Sequence, residues 1–252
     1  MARTPRWWQV YVTDVVTETE NAAEEHRRSV PLSRSLSNVA IVLVTAALSL
    51  AAIRFLRSSS IGTGYSSEFD RLLRWAGISI VGYFALPLIA IRLMGERLRS
   101  FGAGRPVPGT GRPYLVLFLL SVPFLIAASY LPAFQEGYPF YEPGPGEPWW
   151  PRLVVWWALY ILQFIAVEFF FRGFMLFGLS PRLGIASVFV MMVPYTMIHF
   201  DKPTAEALSA ILGGTVLGFL ALKSNSFWWA AAIHVGIAMT METLTLWHAG
   251  FF

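Results

Sequence analysis

Residues 153–179, LVVWWALYILQFIAVEFFFRGFMLFGL, decide the fold of this chain. The run has 27 residues and carries only two charges, Glu168 and Arg172. A helix needs about 20 mostly apolar residues to cross the hydrocarbon core of a bilayer. The run is therefore long enough to span a membrane, and its two charges are unusual for a span that serves only as an anchor.

Composition extends this interpretation to the whole chain. Of its 252 residues, 56% are hydrophobic and 13% are charged, and the mean hydropathy is +0.56. This leaves too little polar material to cover the surface of a soluble domain of this size. The chain has no cysteine, which excludes disulfides, thiolate catalysis and cysteine-bound metals.

Hydropathy predicts an all-α, polytopic transmembrane helical bundle with about seven spans, within a range of six to eight. The apolar runs are 36–53, 72–91, 115–131, 153–179, 185–200, 205–222 and 227–247. They divide the chain into a polar cytoplasmic or interfacial arm (1–35), three spans (36–132), an outer loop rich in aromatic residues, proline and glycine (133–152), and a four-span core (153–247).

The loop after the second span indicates the orientation. It contains one acid, Glu96, and five arginines: Arg92, Arg97, Arg99, Arg105 and Arg112. Basic loops stay on the cytoplasmic side, so we expect a multi-pass protein of the cell membrane, a bacterial inner membrane, with a cytoplasmic N-terminus. The same preference for basic residues in cytoplasmic loops explains the net charge of +4 without nucleic-acid binding. We therefore expect membrane lipid, and no nucleic acid, as a partner.

Ionisable residues inside the spans place any active site in residues 150–245. Each such residue costs about 2.5–3.5 kcal/mol at the bilayer centre on insertion scales. The apolar cores of the first three spans have none. The later spans contain Glu168, Arg172, His199, His234 and Glu242.

These residue types allow more than one kind of site. Glu168 and Arg172 lie four apart and share a helix face, so a structural ion pair is one explanation. A carboxylate with two imidazoles on three helices can also activate water and stabilise the oxyanion of a scissile carbonyl. The same Glu168, His199 and His234 could instead bind zinc and leave a position for water.

Three motifs in residues 150–247 resemble those of the CAAX protease and bacteriocin-processing family (CPBP or Abi) of glutamate-type intramembrane proteases. The family's EExxxR motif reads VEFFFRG at 167–173, and its FxxxH motif reads YTMIH at 195–199. Its HxxxN motif reads HVGIA at 234–238. Each motif falls on its own predicted span, with family-like order and spacing.

The resemblance implies an intramembrane endopeptidase that uses no cofactor and acts on a membrane-associated protein or peptide. Such substrates include a C-terminal tail, a prenylated or otherwise lipidated peptide, and a small secreted peptide. In the family, a motif glutamate and the second-motif histidine activate water, and the third-motif histidine and asparagine support the oxyanion. Carried over, Glu168, His199 and His234 are the catalytic residues, supported by Arg172 and Tyr195.

The chain departs from the family at Val167 and Ala238, which can supply neither a base nor a donor. Glu168 must then act as the base, after a rotation of about 100° around the helix axis. We expect Glu242 to offset the missing asparagine as a supporting residue that polarises His234.

The two apolar positions also favour an alternative, a catalytically inactive relative that binds a membrane peptide or acts as a scaffold. A transporter with a proton relay is a third possibility, against which the lack of an inverted repeat counts.

Overall fold

The structure, a computed structural model, describes residues 9–59, 67–144 and 150–251. Residues 1–8 of the predicted arm and 145–149 of the predicted outer loop lie outside these ranges. Within them, the chain forms helices and no strand. The α-helices are α1 (Asp14–Ser29), α2 (Leu32–Ser58), α3 (Glu68–Leu93), α4 (Arg112–Ser129), α5 (Pro132–Gly137), α6 (Arg152–Glu168), α7 (Leu176–Leu183), α8 (Ala186–Met197), α9 (Thr204–Ser224) and α10 (Trp228–His248).

Among the residues that the structure describes, six helical segments are long and apolar enough to cross a membrane: α2, α3, α4, the continuous segment Arg152–Leu183, α9 and α10. The predicted span at 185–200 is shorter than expected. Its helix, α8, has 12 residues and covers about 18 Å at 1.5 Å per residue, less than a hydrocarbon core of about 30 Å. The prediction of a polytopic helical bundle is confirmed, with six candidate spans and one short apolar helix.

The longest segment changes its winding in the middle. α6 ends at Glu168, Phe169–Met175 are π-helical, and α7 continues to Leu183. All seven residues of the π-helical part are buried. π-Helical turns are rare and occur frequently at functional sites. Here the altered winding coincides with the first sequence motif.

The apolar core of the bundle surrounds this π-helical part. Tyr83 of α3 packs against Phe170 at a ring-centroid distance of 5.1 Å, and Phe101 stacks on Phe174 at 5.9 Å. α4 lies at the edge of the bundle and packs along α10. Its other face exposes large apolar side chains such as Phe124, which suits contact with lipid.

Helix α1 of the N-terminal arm packs against one end of the bundle. The carboxylate of Glu20 accepts a hydrogen bond from the Ile185 amide, just before α8, at 2.7 Å. Glu18 forms an ion pair with Lys223 at 3.1 Å. The arginine-rich loop donates a backbone hydrogen bond to the residue after Lys223. The described part of the arm and the basic loop therefore share one side of the bundle.

Candidate active site

Glu168 lies at the junction of α6 and the π-helical part, and its side chain is fully buried. One carboxylate oxygen, Oε1, accepts a hydrogen bond from Arg172 Nη1 at 2.8 Å. The same oxygen is 2.6 Å from Nδ1 of His234 on α10. The other oxygen, Oε2, has no hydrogen-bond partner among the described residues. Glu168 therefore connects two helices through one oxygen and leaves the second uncommitted.

Arg172 balances the charge of Glu168 inside the bundle. Its side chain is fully buried, and its guanidinium carbon lies 3.8 Å from the ring centroid of Tyr195. Nη2 also donates to the carbonyl of Gly213 at 3.4 Å. A buried guanidinium is tolerated when a carboxylate, a carbonyl and an aromatic face share its charge. The predicted pairing of Glu168 with Arg172 is present in the structure.

Tyr195 stands between the two histidines. Its ring centroid is 4.8 Å from that of His199 and 6.3 Å from that of His234. The ring is buried and packs on Gly214 of α9, where a Cβ atom would come within 3.0 Å of it. A side chain at Gly214 would therefore displace the ring that both histidines contact.

His199 follows α8, in the turn that leads to α9. Its Nδ1 lies 2.8 Å from the carbonyl oxygen of Tyr195. A carbonyl oxygen only accepts, so Nδ1 carries the proton and donates. In a neutral imidazole this leaves Nε2 as an acceptor that can hold a water molecule. His199 is half-buried, and the two residues that follow it, Phe200 and Asp201, are exposed.

His234 lies between the carboxylate and a wall of aromatic rings. Its ring centroid is 4.5 Å from that of Phe164 on α6. Its side chain is 14% exposed, whereas that of Glu168 is 0% exposed. A molecule outside the bundle can therefore reach the imidazole more readily than the carboxylate behind it.

The structure brings together five of the six predicted site residues, and we call this group the catalytic cluster: Glu168, Arg172, Tyr195, His199 and His234. Glu242 does not belong to it. Its Oε1 accepts a hydrogen bond from the Phe140 amide at 2.9 Å, and its Oε2 has no hydrogen-bond partner in the described part of the chain. The carboxylate that contacts His234 is Glu168, so the expected polarisation by Glu242 does not match this arrangement.

The two apolar replacements in the family motifs are buried; Val167 directly precedes Glu168, and Ala238 follows His234 by four residues. Val167 is 2% exposed and Ala238 is 8% exposed. Both contribute to apolar packing of the bundle. Neither position contributes a polar group to the site.

The zinc alternative requires three ligating side chains around one point. In residues 9–59, 67–144 and 150–251, no group of three His, Asp or Glu side chains is arranged to hold a metal ion. Nδ1 of His234 is engaged by Glu168, and Nδ1 of His199 by the carbonyl of Tyr195. The donor set Glu168, His199 and His234 is therefore not assembled as a metal site in this structure.

A second polar group, partly buried, lies beyond His199, and Glu242 is its only member among the predicted site residues. We call it the outer cluster: Tyr138, Lys202, Glu206 and Glu242. The Tyr138 hydroxyl donates to the carboxylate of Glu206 at 3.0 Å, and Lys202 Nζ donates to that hydroxyl at 2.9 Å. Burial lowers the pKa of Lys202, and Glu206 and Glu242 oppose this shift. For the three members that were not predicted, the sequence signal was a lysine, Lys202, three residues after the motif histidine His199.

The family comparison covers the same part of the chain as the catalytic cluster. Residues 148–240 match the family model described as Type II CAAX prenyl endopeptidase Rce1-like. The match includes all three motifs and excludes Glu242. Comparison with curated proteins and with solved structures finds no match. The match confirms the resemblance to the CAAX protease family that the three motifs predict for this part of the multi-pass membrane protein.

Proposed function

We propose that the protein is an intramembrane endopeptidase that hydrolyses a peptide bond of a membrane-associated protein or peptide. The observation that carries this proposal is the hydrogen bond between buried Glu168 and His234 at 2.6 Å. A structural ion pair needs only Arg172 as the partner of Glu168. An imidazole from another helix on the same carboxylate, with a second imidazole beyond Tyr195, adds the groups that proton transfer requires.

In the proposed reaction, Glu168 and His199 activate a water molecule. Nε2 of His199 accepts a hydrogen bond from the water and orients it. The water oxygen attacks the scissile carbonyl carbon while its proton moves to the uncommitted Oε2 of Glu168. That proton then passes to the leaving amine as the carbon–nitrogen bond breaks, which returns the carboxylate to its starting state.

His234 supports the oxyanion in this scheme. Nδ1 donates to Glu168, so Nε2 carries a second proton when the ring is an imidazolium. The nearby carboxylate stabilises that positive charge, as carboxylates do for histidines in other hydrolases. Nε2–H can then donate a hydrogen bond to the oxygen on which negative charge develops. His234 thus supplies one hydrogen-bond donor to the oxyanion, and Ala238, at the position of the family's asparagine, supplies none.

The proposed substrate is a prenylated or otherwise lipidated C-terminal tail, because the matching family model is described as that of a CAAX prenyl endopeptidase. A small membrane-bound secreted peptide is the second candidate. Both kinds of substrate would reach the bundle from the lipid phase. We place the basic loop and the N-terminus in the cytoplasm because of the positive-inside rule. No cofactor takes part in the proposed reaction.

A catalytically inactive relative is the alternative, and Val167 and Ala238 favour it because both are buried and apolar. Such a protein would bind a membrane peptide without cleaving it or would act as a scaffold. The two functions differ in one measurable property. The enzyme releases two products from a lipidated peptide in proteoliposomes, whereas the relative retains the intact peptide.

The test is Glu168→Gln in proteoliposomes supplied with a set of lipidated peptides whose cleavage is followed by mass spectrometry. We expect cleavage to fall by about 10²–10⁴-fold because the general base is lost. Glu25→Gln, at an exposed position on α1, serves as the control and should cleave normally. Undiminished cleavage by Glu168→Gln would refute the proposed mechanism. Binding of the peptides by the wild-type protein without any cleavage would favour the inactive relative.

A further inference from the structure

The arginine-rich loop carries a surface that the proposed function does not use. Arg97, Arg99 and Arg105 lie in it, and Arg92 and Arg112 flank it at the ends of α3 and α4. All five are exposed, and none of their side chains forms a hydrogen bond or ion pair with a described residue. Arginines elsewhere, such as Arg28 and Arg54, pair with carboxylates. The loop therefore presents positive charge that its single acid, Glu96, offsets only in part.

Exposed apolar side chains lie among these arginines. Leu93, the last residue of α3, is 80% exposed, and Leu98 is 45% exposed. The loop joins two candidate spans: α3 ends at its start and α4 begins at its end. The loop therefore lies where the hydrocarbon region of the bilayer meets water. We call the set Arg92, Leu93, Arg97, Leu98, Arg99, Arg105 and Arg112 the basic surface.

The backbone beneath the basic surface is held in place. The Phe227 amide donates to the carbonyl of Gly102 at 3.1 Å, and Ser226 Oγ donates to the same carbonyl at 3.1 Å. Gly102 has a φ of 70°, a left-handed conformation that glycine adopts without strain. Phe101 is buried and stacks on Phe174 of the π-helical part. The arginines therefore project from a loop that is fixed to the turn before α10 and to the π-helical part.

We infer that the basic surface binds the headgroups of anionic phospholipids in the adjoining leaflet. Clusters of four to eight Lys or Arg residues directly beside a span attract anionic lipid, and each contributes about fivefold in affinity near the surface. The exposed leucines favour lipid over an acidic peptide or nucleic acid because they can enter the acyl region beside the headgroups. A bound lipid also braces the loop that packs on the π-helical part.

The test uses the full-length protein in detergent, which removes any effect of the arginines on insertion. Native mass spectrometry compares binding of phosphatidylglycerol and phosphatidylcholine supplied at equal concentration. We expect the wild-type protein to favour phosphatidylglycerol and Arg97→Gln/Arg99→Gln to lose up to about fivefold of this preference for each arginine removed. Arg28→Gln/Arg34→Gln removes the same charge from exposed positions on α1 and α2 and should retain the preference.

Other outcomes overturn the inference. Equal binding of the two lipids by the wild-type protein would do so, as would equal loss of preference in both double variants. A preference for polyglutamate over phosphatidylglycerol would assign the surface to an acidic protein partner. The measurement needs no proteolysis, so it can succeed or fail independently of the proposed enzyme activity.

Discussion

The catalytic cluster and the outer cluster each contain a fully buried carboxylate, but the two carboxylates have different partners. Glu168 accepts hydrogen bonds from the side chains of Arg172 and His234, which come from its own helix and from α10. Glu242 accepts one from the backbone amide of Phe140, in the loop before α6. Burial alone therefore does not mark a catalytic acid or base. The partners separate a group that can exchange protons from one that fastens a loop.

The two clusters also connect different parts of the fold. The catalytic cluster joins the helix pair α6 and α10 to the turn after α8. The outer cluster joins that same turn, through Lys202, to Tyr138 and to α9 through Glu206. Since His199 and Lys202 belong to one turn, the outer cluster can hold the turn, and the catalytic cluster contains the groups that we propose for the chemistry. Variants in each cluster should therefore affect different measurements.

The largest expected difference between the clusters is in turnover. His234→Gln keeps an amide that can donate to Glu168 but removes the imidazole nitrogen proposed to face the oxyanion. We expect kcat to fall by about 10²–10⁴-fold with little change in KM, because the loss is confined to the transition state. Glu242→Gln retains an oxygen that can accept from the Phe140 amide and should reduce kcat far less. Equal losses in the two variants would remove the distinction between the clusters.

A second difference concerns stability. Arg172→Met leaves the buried carboxylate of Glu168 without its cation, which we expect to destabilise the bundle by about 3–5 kcal/mol. Glu168→Gln/Arg172→Met removes both charges and should recover much of this loss, although it remains inactive. Thermal unfolding in detergent measures the stability of both variants. Recovery of cleavage in the double variant would mean that Glu168 serves only to neutralise Arg172.

A smaller effect is expected from Tyr138→Phe in the outer cluster. The substitution retains the ring against Lys202 and removes the hydroxyl that bridges Lys202 and Glu206. A hydrogen bond to a charged group contributes about 1.5–3 kcal/mol, and part of this should be recovered by water at a partly exposed site. We expect faster amide hydrogen exchange in residues 134–141 and nearly normal kcat. Unchanged exchange in this segment would mean that the outer cluster does not hold the loop.

The sequence predicted the bundle and the Glu168–Arg172 pair because both depend on local patterns. Apolar runs identify spans, and a spacing of four places two side chains on one helix face. The contact between Glu168 and His234 depends on how α6 and α10 pack, and no spacing along the chain encodes it. The hydrogen-bond partner of Glu242 is a backbone amide, which every residue except proline has, so no residue type in the sequence could indicate it. The sequence led instead to the prediction of a side-chain partner, His234.

The smallest expected effect is that of metal removal, and it tests whether the catalytic cluster works through proton transfer alone. A zinc site would need His199, His234 and Glu168 around one ion at about 2.0–2.2 Å, and the described residues contain no such group. We therefore expect cleavage in proteoliposomes to survive prolonged treatment with a strong chelator, with wild-type and Tyr138→Phe proteins treated in parallel. Loss of cleavage that zinc restores in both proteins would show that the turn bearing His199 moves to assemble a metal site. Because the Nδ1 protons of both histidines are already engaged, such a movement would have to leave those hydrogen bonds intact and use the Nε2 atoms.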